Sequence, residues 1–213
     1  MKELYALGVG HSTPLFIEIA EAAGWNIAGL YHYNDDRVGQ IDHGYKILGS
    51  FEDMFRKDID GMCFLLTMGD MAIRELLTKN IIERGGIVPS IIHPSAHISK
   101  FASISSQGVI IGDRVELQSD VNVEQNVILR SDVTVCHNTK IESNVFVGPK
   151  ALLGAYISVR EFAFIGQGAI LVSGKVDSIG KNSLVGAGAL VTKTVPDDVI
   201  VVGHPARIIK KRV

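Results

Sequence analysis

The chain has 213 residues, enough for one large or two small domains, and 46% of them are hydrophobic, which is ample for a buried core. Its net charge of −2 gives no electrostatic case for binding nucleic acid or an anionic membrane surface. The two cysteines, Cys63 and Cys136, suit neither a disulfide framework nor a metal site, and no signal peptide or bilayer-spanning run is recognisable, so we expect no membrane insertion and a reducing cytoplasm.

The N-terminal residues predict a small βαβ domain with a parallel sheet, spanning residues 1–90. An apolar strand at residues 2–9 runs into the turn GVGHST, and a helical pattern follows over residues 14–23. A glycine turn before a helix N-terminus presents backbone amides that suit phosphate. The turn is shorter than a full GxGxxG motif, however, and a plain strand-to-helix turn explains it equally well. The candidate phosphate ligands are Gly8, Gly10, His11 and Ser12.

The rest of this domain continues the alternation of strands and helices. Residues 25–33 predict a second strand, which ends in Asn34-Asp35-Asp36, and carboxylates at such a strand end often meet a nucleoside. The alternative for these two acids is a solvated turn. A short helix is predicted near residues 48–58, and a third strand over residues 61–68 leads through Gly69 to a helix at residues 71–84. His93-Pro94 then joins this domain to the next segment.

From residue 92 to residue 195 the sequence repeats every six residues. The first residue of each block is aliphatic, and the fifth is small or aliphatic in nearly every block. A period of six indicates a parallel β-helix in which each repeat is one short strand and a turn. The first position then points to the axis, three repeats close one triangular coil, and residues eighteen apart stack. The regular run of first positions is Ile111, Leu117, Val123, Leu129, Val135, Ile141, Val147, Leu153, Val159 and Ile165.

This run resembles the left-handed β-helix of hexapeptide acyltransferases. Residues 137–154, HNTKIESNVFVGPKALLG, together with GVGH near the N-terminus and VGHPA near the C-terminus, are similar to the PglD/NeuD-like sugar acyltransferases. The resemblance extends over essentially the whole chain. It implies a Rossmann-like domain over residues 1–90, followed by a left-handed β-helix with a C-terminal cap over residues 91–213.

The resemblance also implies an activity. We expect a cytoplasmic N-acetyltransferase that takes acetyl-CoA as co-substrate, needs no metal, and acetylates a nucleotide-linked 4-amino-deoxy sugar for glycan, O-antigen or lipopolysaccharide assembly. We expect a homotrimer with active sites between subunits. His137 matches the catalytic histidine, and a main-chain amide one coil later, at Gly154 or more closely Ala155, would bind the thioester oxyanion. Relatives usually have an acidic residue where this chain has Asn138, so Asp120, eighteen residues earlier, is a substitute source of charge.

The remaining site residues are also inferred from this resemblance. Relatives often have a second histidine where this chain has Phe146, so a pantetheine contact there would be apolar or absent. Small residues would let the pantetheine arm lie close to the coils, and basic residues would meet the CoA phosphates. Plain turn geometry explains any single glycine better than a ligand contact does, and a solvated basic tail explains the basic residues equally well. The acidic pair after the second strand would contact the nucleotide base. The candidate CoA residues are Phe146, Gly166, Gly186, Lys193, Arg207 and Lys210, and the candidate nucleotide-sugar residues are Gly8, Gly10, His11, Ser12, Asp35, Asp36 and Gly69.

Other functions remain open at this stage. One is O-acetylation of a sugar of the sialic acid type, and another is a non-catalytic β-helix that binds sugar nucleotides. A γ-type carbonic anhydrase would need three zinc-binding histidines, whereas His137 stands alone between His97 and His204. An ice-binding protein would repeat Thr-x-Thr along one face, and the chain does not.

Overall fold

The computed structural model describes residues 2–212, and of Lys2 only the backbone. The chain divides after Ile92 into two compact units. No helix within residues 2–212 is both long and apolar enough to cross a membrane.

The first unit is built on a five-stranded sheet in the order β3-β4-β2-β1-β5. All neighbours are parallel except β3 and β4, which form an antiparallel hairpin. The strands are β1 (Lys2–Leu7), β2 (Trp25–His32), β3 (Ile41–Asp42), β4 (Tyr45–Ser50) and β5 (Phe64–Leu66), and the short strand β6 (Ile91–Ile92) ends the unit. The helices are α1 (Thr13–Ala22), α2 (Phe51–Phe55) and α3 (Met71–Glu83), with a 3-10 turn at Asp35–Arg37.

The hairpin corrects one detail of the sequence reading, which expected only a short helix near residues 48–58. Strand β4 occupies the start of that segment, and the helix α2 is confined to five residues. His43 and Gly44 both have positive φ, as a two-residue hairpin turn requires. The Ser50 and Asp53 side chains then form a reciprocal capping box that starts α2 directly at the end of the strand.

The second unit is the parallel β-helix that the six-residue period predicted. Each strand pairs in parallel with the strand three further along, so that Leu117 lies beside Val135 and Val135 beside Leu153. The aliphatic first positions are buried in one continuous core along the axis. Two connections between successive strands are longer than the others: the one from Ile104 to Ile110 and the one from Leu171 to Ser178. They coincide with the places where the sequence departs from a strict period of six. The fold class predicted for this segment is therefore confirmed.

Three sheets form the walls of the β-helix. The first coil sheet contains β7 (His97–Ile98), β10 (Glu116–Leu117), β13 (Thr134–Val135), β16 (Leu152–Leu153), β19 (Ile170–Leu171) and β22 (Leu190–Val191). The second contains β8 (Ser103–Ile104), β11 (Asn122–Val123), β14 (Lys140–Ile141), β17 (Ser158–Val159) and β20 (Ser178–Ile179). The third contains β9 (Ile110–Ile111), β12 (Ile128–Leu129), β15 (Phe146–Val147), β18 (Phe164–Ile165), β21 (Leu184–Val185), β23 (Val199–Gly203) and β24 (Ala206–Lys211). Strand β24 folds back antiparallel on β23.

The corners between these sheets share one backbone feature. The fourth residue of a block adopts a left-handed conformation, which only glycine, asparagine and aspartate visit easily. Asparagine and aspartate are frequent at this position because their short side chains tolerate it. Aromatic residues occupy it at two corners, Tyr156 and Phe162. The non-glycine residues with left-handed backbone in the regular part of the β-helix are Arg114, Asp120, Asn126, Asp132, Asn138, Asn144, Lys150, Tyr156 and Phe162.

Candidate active site

His137 lies at the corner where β13 passes into β14. The residues two positions before and after it are buried: Val135 fills the axis, and the Thr139 hydroxyl donates to the Gly154 carbonyl at 2.7 Å. The imidazole itself is only half-buried. The corner is therefore rigidly anchored, while the ring stays accessible to a ligand.

Hydrogen bonds to neighbouring residues orient His137. Its Nδ1 lies 2.9 Å from Oδ1 of Asn138. An amide oxygen only accepts hydrogen bonds, so this contact selects, for the neutral imidazole, the tautomer with its proton on Nδ1 and a lone pair on Nε2. The backbone N–H of His137 donates to Oε1 of Gln118 at 3.1 Å. Sequence reasoning missed Gln118. The signal was its spacing, because it lies nineteen residues before His137, at the second position of the six-residue block that stacks below the block of His137.

Asp120 occupies the equivalent corner one coil before Asn138, as the eighteen-residue spacing predicts. Both residues have left-handed backbone, and Asp120 is exposed. The coils are joined here by the Asn138 N–H, which donates to the Ser119 carbonyl at 3.1 Å. Within residues 2–212, Asp120 makes no hydrogen bond or ion pair to the imidazole or to Asn138. Any effect of its charge on His137 acts across space.

The structure distinguishes the two candidate oxyanion amides. The Gly154 N–H donates to the Leu171 carbonyl at 3.0 Å and so belongs to the ladder that joins the coils. The Ala155 N–H lies outside that ladder and donates to Oγ of Ser173 at 2.9 Å. Ala155 is therefore the amide that can be offered to a ligand, whereas Gly154 has a structural role. A side chain at Gly154 would place its Cβ 2.6 Å from backbone atoms of Leu171 and Ser173.

A comparison of corners explains why Ser173 holds this amide. At three other corners the N–H of the third position donates to a long side chain from the preceding coil, whereas the N–H of Lys181 donates to Oδ1 of Asp197 from the following segment. For Ala155, the residue at the corresponding position of the preceding coil is Cys136, and its short thiol is only a weak hydrogen-bond acceptor. The Ala155 N–H instead takes a small, exposed hydroxyl from the following coil, which a ligand oxygen can displace. The three corners with a long side chain from the preceding coil are His137 with Gln118, Ser143 with Glu124, and Glu161 with Glu142.

Two further neighbours of His137 have different consequences for its chemistry. Burial, with a smaller contribution from Glu116, raises the pKa of the Cys136 thiol. The thiol therefore stays protonated near neutral pH and is a poor nucleophile. Tyr156 packs its ring edge-on against the imidazole, with 5.2 Å between ring centroids and 90° between planes. Sequence reasoning did not identify Tyr156.

The other predicted CoA residues lie at several places. Phe146 points outward from the third coil sheet and stacks on Phe164, with centroids 4.8 Å apart and an interplanar angle of 10°. Gly166 is required by stacking, because a Cβ there would lie 2.5 Å from the Ala187 nitrogen. A Cβ at Gly186 would approach Cγ1 of Val202 to 2.7 Å. Close packing of successive coils therefore accounts for both glycines without a ligand.

Two of the basic residues predicted to contact the CoA phosphates lie in the same cavity. Lys193 and Arg207 line one cavity of about 270 Å³ beside Pro196 and Ile208. Lys210 lies opposite Ile200 in the β23–β24 hairpin and is not part of that lining. Two of the three predicted phosphate contacts therefore share a cavity.

A second cavity, of about 460 Å³, lies in the first unit around the glycine turn. It includes most of the residues that sequence reasoning selected there. Asp35 and Asp36 do not line it; they form an exposed 3-10 turn in which Nδ2 of Asn34 donates to Oδ2 of Asp36 at 2.5 Å. Tyr33, which sequence reasoning passed over, lines the cavity instead. The predicted residues in the lining are Gly8, Gly10, His11, Ser12 and Gly69.

A hydroxyl network shapes this cavity. Oγ1 of Thr67 lies 3.0 Å from Oγ1 of Thr13 and donates to the Gly8 carbonyl at 2.9 Å. Gly8 has φ +103°, and a Cβ there would lie 2.8 Å from Oγ1 of Thr67, so only glycine fits. Ser12 caps α1 without a side-chain hydrogen bond to the helix, which leaves its hydroxyl for a ligand.

Searches against known proteins agree with this architecture. No protein-family profile matches the chain. The GDP-perosamine N-acetyltransferase PerB of Caulobacter crescentus, solved with CoA and GDP-perosamine, is 27% identical, covers 99% of this chain and 98% of its own, and superimposes with a TM-score of 0.89. The acetyltransferase domain of PglB from Neisseria gonorrhoeae, solved with acetyl coenzyme A, is 25% identical, covers 98% and 99% respectively, and has a TM-score of 0.87.

Curated sequences give shorter matches. The serine acetyltransferase of Buchnera aphidicola (subsp. Acyrthosiphon pisum) is 30% identical over 121 residues, which is 56% of this chain. The chain spans only 38% of the length of that relative. The resemblance inferred from the motifs is nonetheless confirmed: over nearly its whole length, this chain is similar to sugar acetyltransferases of the hexapeptide-repeat, left-handed β-helix superfamily.

Proposed function

We propose that this protein is an acetyl-CoA-dependent N-acetyltransferase that acts in the cytoplasm on a nucleotide-linked 4-amino-deoxy sugar for glycan assembly. The observation that carries the proposal is the stacking of His137 under Ala155. One residue presents a basic nitrogen, and the other presents a backbone N–H outside the coil ladder. PerB, which matches over 99% of this chain, was crystallised with CoA and GDP-perosamine, and this supports the choice of substrates.

The two groups suit amine acetylation. The acceptor amine attacks the thioester carbonyl carbon, and its proton passes to Nε2 of His137. Ala155 donates its N–H to the oxyanion, so the Ser173 hydroxyl must first release it. Collapse of the tetrahedral intermediate breaks the C–S bond, and the CoA thiolate leaves and is protonated by the imidazolium. Asn138 holds the imidazole tautomer that this cycle needs.

We assign the nucleotide of the acceptor to the cavity of the first unit. The start of α1 offers backbone amides and the Ser12 hydroxyl to phosphate. The other residues assigned to the nucleotide sugar in this cavity are Gly8, Gly10, His11 and Gly69. The base of the nucleotide would contact Asp35 and Asp36, which lie outside the cavity lining. The first unit is thus proposed as the nucleotide-sugar domain.

The co-substrate is assigned to the β-helix. Lys193 and Arg207 would meet CoA phosphates in their shared cavity, with Lys210 as a further cation near the same end. The pantetheine arm would run along the coils past Gly166 and Gly186 towards Ala155. Phe146 would add an apolar contact.

An assay of CoA release tests the proposal. We expect free thiol to appear when acetyl-CoA is mixed with UDP-, dTDP- or GDP-linked 4-amino-deoxy sugars, and we expect none with the corresponding 4-hydroxy sugars. Release with sialic acid or another hydroxyl acceptor alone would favour O-acetylation. A protein that binds these nucleotides in a thermal shift assay but releases no CoA with any acceptor would be a non-catalytic binder.

We further propose a homotrimer, because two of the three coil walls carry apolar side chains outward. The third coil sheet presents Phe146, Phe164 and Leu184, while the first presents Leu152 and Ile170, which are 40% and 39% exposed. The second coil sheet presents polar residues such as Lys140 and Ser158. Packing the third sheet of one copy on the first sheet of the next closes a ring and puts the His137 corner beside a neighbouring subunit.

Light scattering at micromolar concentration should therefore give the mass of three chains. Replacing Ile170 with lysine should shift the protein towards the monomer, because it would place a charge within the apolar contact. The matched change Ser158→Lys on the polar wall should leave the mass unchanged. A monodisperse monomer for the parent protein would rule the trimer out.

A further inference from the structure

Tyr156 holds a backbone conformation that is unfavourable for its side chain. It occupies the fourth corner position with φ +62°. Most residues at this position are asparagine, aspartate or glycine, or have flexible charged side chains. A bulky residue in the left-handed region is an outlier, and such outliers cluster at functional sites.

Packing does not explain the aromatic ring at this corner. The Tyr156 side chain is 69% exposed, so little of the ring contributes to the core. Its described ring contact is the edge-on packing against His137. Its backbone N–H also donates to the His137 carbonyl at 3.2 Å. Tyr156 is therefore joined to His137 through both backbone and ring, with most of the ring facing solvent.

The position of the ring relative to the reacting groups is specific. The N–H of Ala155, which directly precedes Tyr156, is the proposed oxyanion donor. Asn138 engages the Nδ1 edge of the imidazole, so the attacking amine must approach Nε2. With 5.2 Å between the two ring centroids, a sugar that carries this amine comes within reach of the phenol. An aromatic face packs well on the apolar C–H face of a pyranose, and the hydroxyl can bond to the sugar.

We propose that Tyr156 is a specificity-determining residue that binds the acceptor sugar at His137. This inference rests on the proposed function and refines its acceptor site. The unfavourable backbone conformation of Tyr156 is accepted because this position places an exposed aromatic ring beside the general base.

The chain also contains a matched control. Phe162 has the same corner position and nearly the same φ, +59°, at the next corner along the chain. Its amide donates to the Ser143 carbonyl at 3.4 Å, and no histidine lies at that corner. Tyr156 and Phe162 thus share the unfavourable backbone conformation but not the neighbouring base.

The test compares Tyr156→Asn, Tyr156→Phe and Phe162→Asn in folded protein. Tyr156→Asn should unfold about 2–4 °C higher, because asparagine tolerates the left-handed region and the exposed ring contributes little packing. Phe162→Asn, which removes a partly buried ring, serves as the kinetic control. Only Tyr156→Asn should raise the acceptor KM, by about tenfold. Its KM for acetyl-CoA should stay unchanged. Tyr156→Phe should keep the acceptor KM within about threefold, because it preserves the ring face.

The outcomes separate this inference from the function on which it rests. A parent protein that releases no CoA with any amino-sugar nucleotide refutes the proposed function and, with it, this inference. An active parent whose acceptor KM is unchanged by Tyr156→Asn refutes the inference alone. An equal rise in the KM for acetyl-CoA, or the same kinetic change in Phe162→Asn, would show a general effect on the coil and would also overturn it.

Discussion

Replacing His137 with alanine should lower kcat by about a hundredfold to ten-thousandfold, the usual cost of losing a general base. The KM for acetyl-CoA should change little, because the variant retains the proposed CoA contacts and the Ala155 amide. The protein should remain folded, since Val135 and Thr139 anchor the corner and the imidazole is only half-buried. Steady-state kinetics with a 4-amino sugar nucleotide, on protein with unchanged unfolding temperature, measure this effect.

His97→Ala is the matched control. His97 lies on the outward side of β7 and belongs to no proposed catalytic, CoA-binding or nucleotide-binding site; because β7 is part of the first coil sheet, the mass of this variant is checked by light scattering as well. That variant should retain the parental kcat. If kcat of folded His137→Ala stayed within about threefold of the parent, the loss would be too small for a general base. The amine would then reach the site already deprotonated.

Replacing Leu153 with alanine should lower the free energy of unfolding by about 2–5 kcal/mol, because it opens a cavity in the axis of the β-helix. Leu153 is completely buried and stacks between Val135 and Leu171. The midpoint of denaturant unfolding should fall with little change in its slope. The effect should not depend on protein concentration, because the lost contacts lie within one chain.

The adjacent Leu152 provides the control, because it has the same side chain but points outward and is 40% exposed. Leu152→Ala should cost less than about 1 kcal/mol within the subunit, at about 25 cal/mol for each Å² of apolar surface that it buries. Its remaining effect should shrink as the protein is diluted to the point where parent and variant are both monomeric, since Leu152 belongs to the proposed trimer contact. Equal, concentration-independent losses in the two variants would contradict the inward and outward assignment.

Regular stacking explains why much of the β-helix could be predicted. Each block repeats one strand and one corner, so a spacing of eighteen residues translates directly into adjacency between coils. Val135 beside Leu153, and the corner of His137 below that of Ala155, follow from counting. The first unit has no such period. Its β3–β4 hairpin depends on the two-residue turn at His43 and Gly44, and the sequence reading expected only a helix in the following segment.

The sequence by itself determined the coil register, the aliphatic axis and the corner that carries His137, because these depend only on backbone repetition and on which residues are apolar. Only the tertiary structure decided how the corner amides are bound. Gln118 reaches the N–H of His137, Ser173 reaches that of Ala155, and Gly154 is committed to the ladder. Those contacts, like the placement of the Tyr156 ring, depend on the length and rotamer of side chains from neighbouring coils, which a count of residues does not contain.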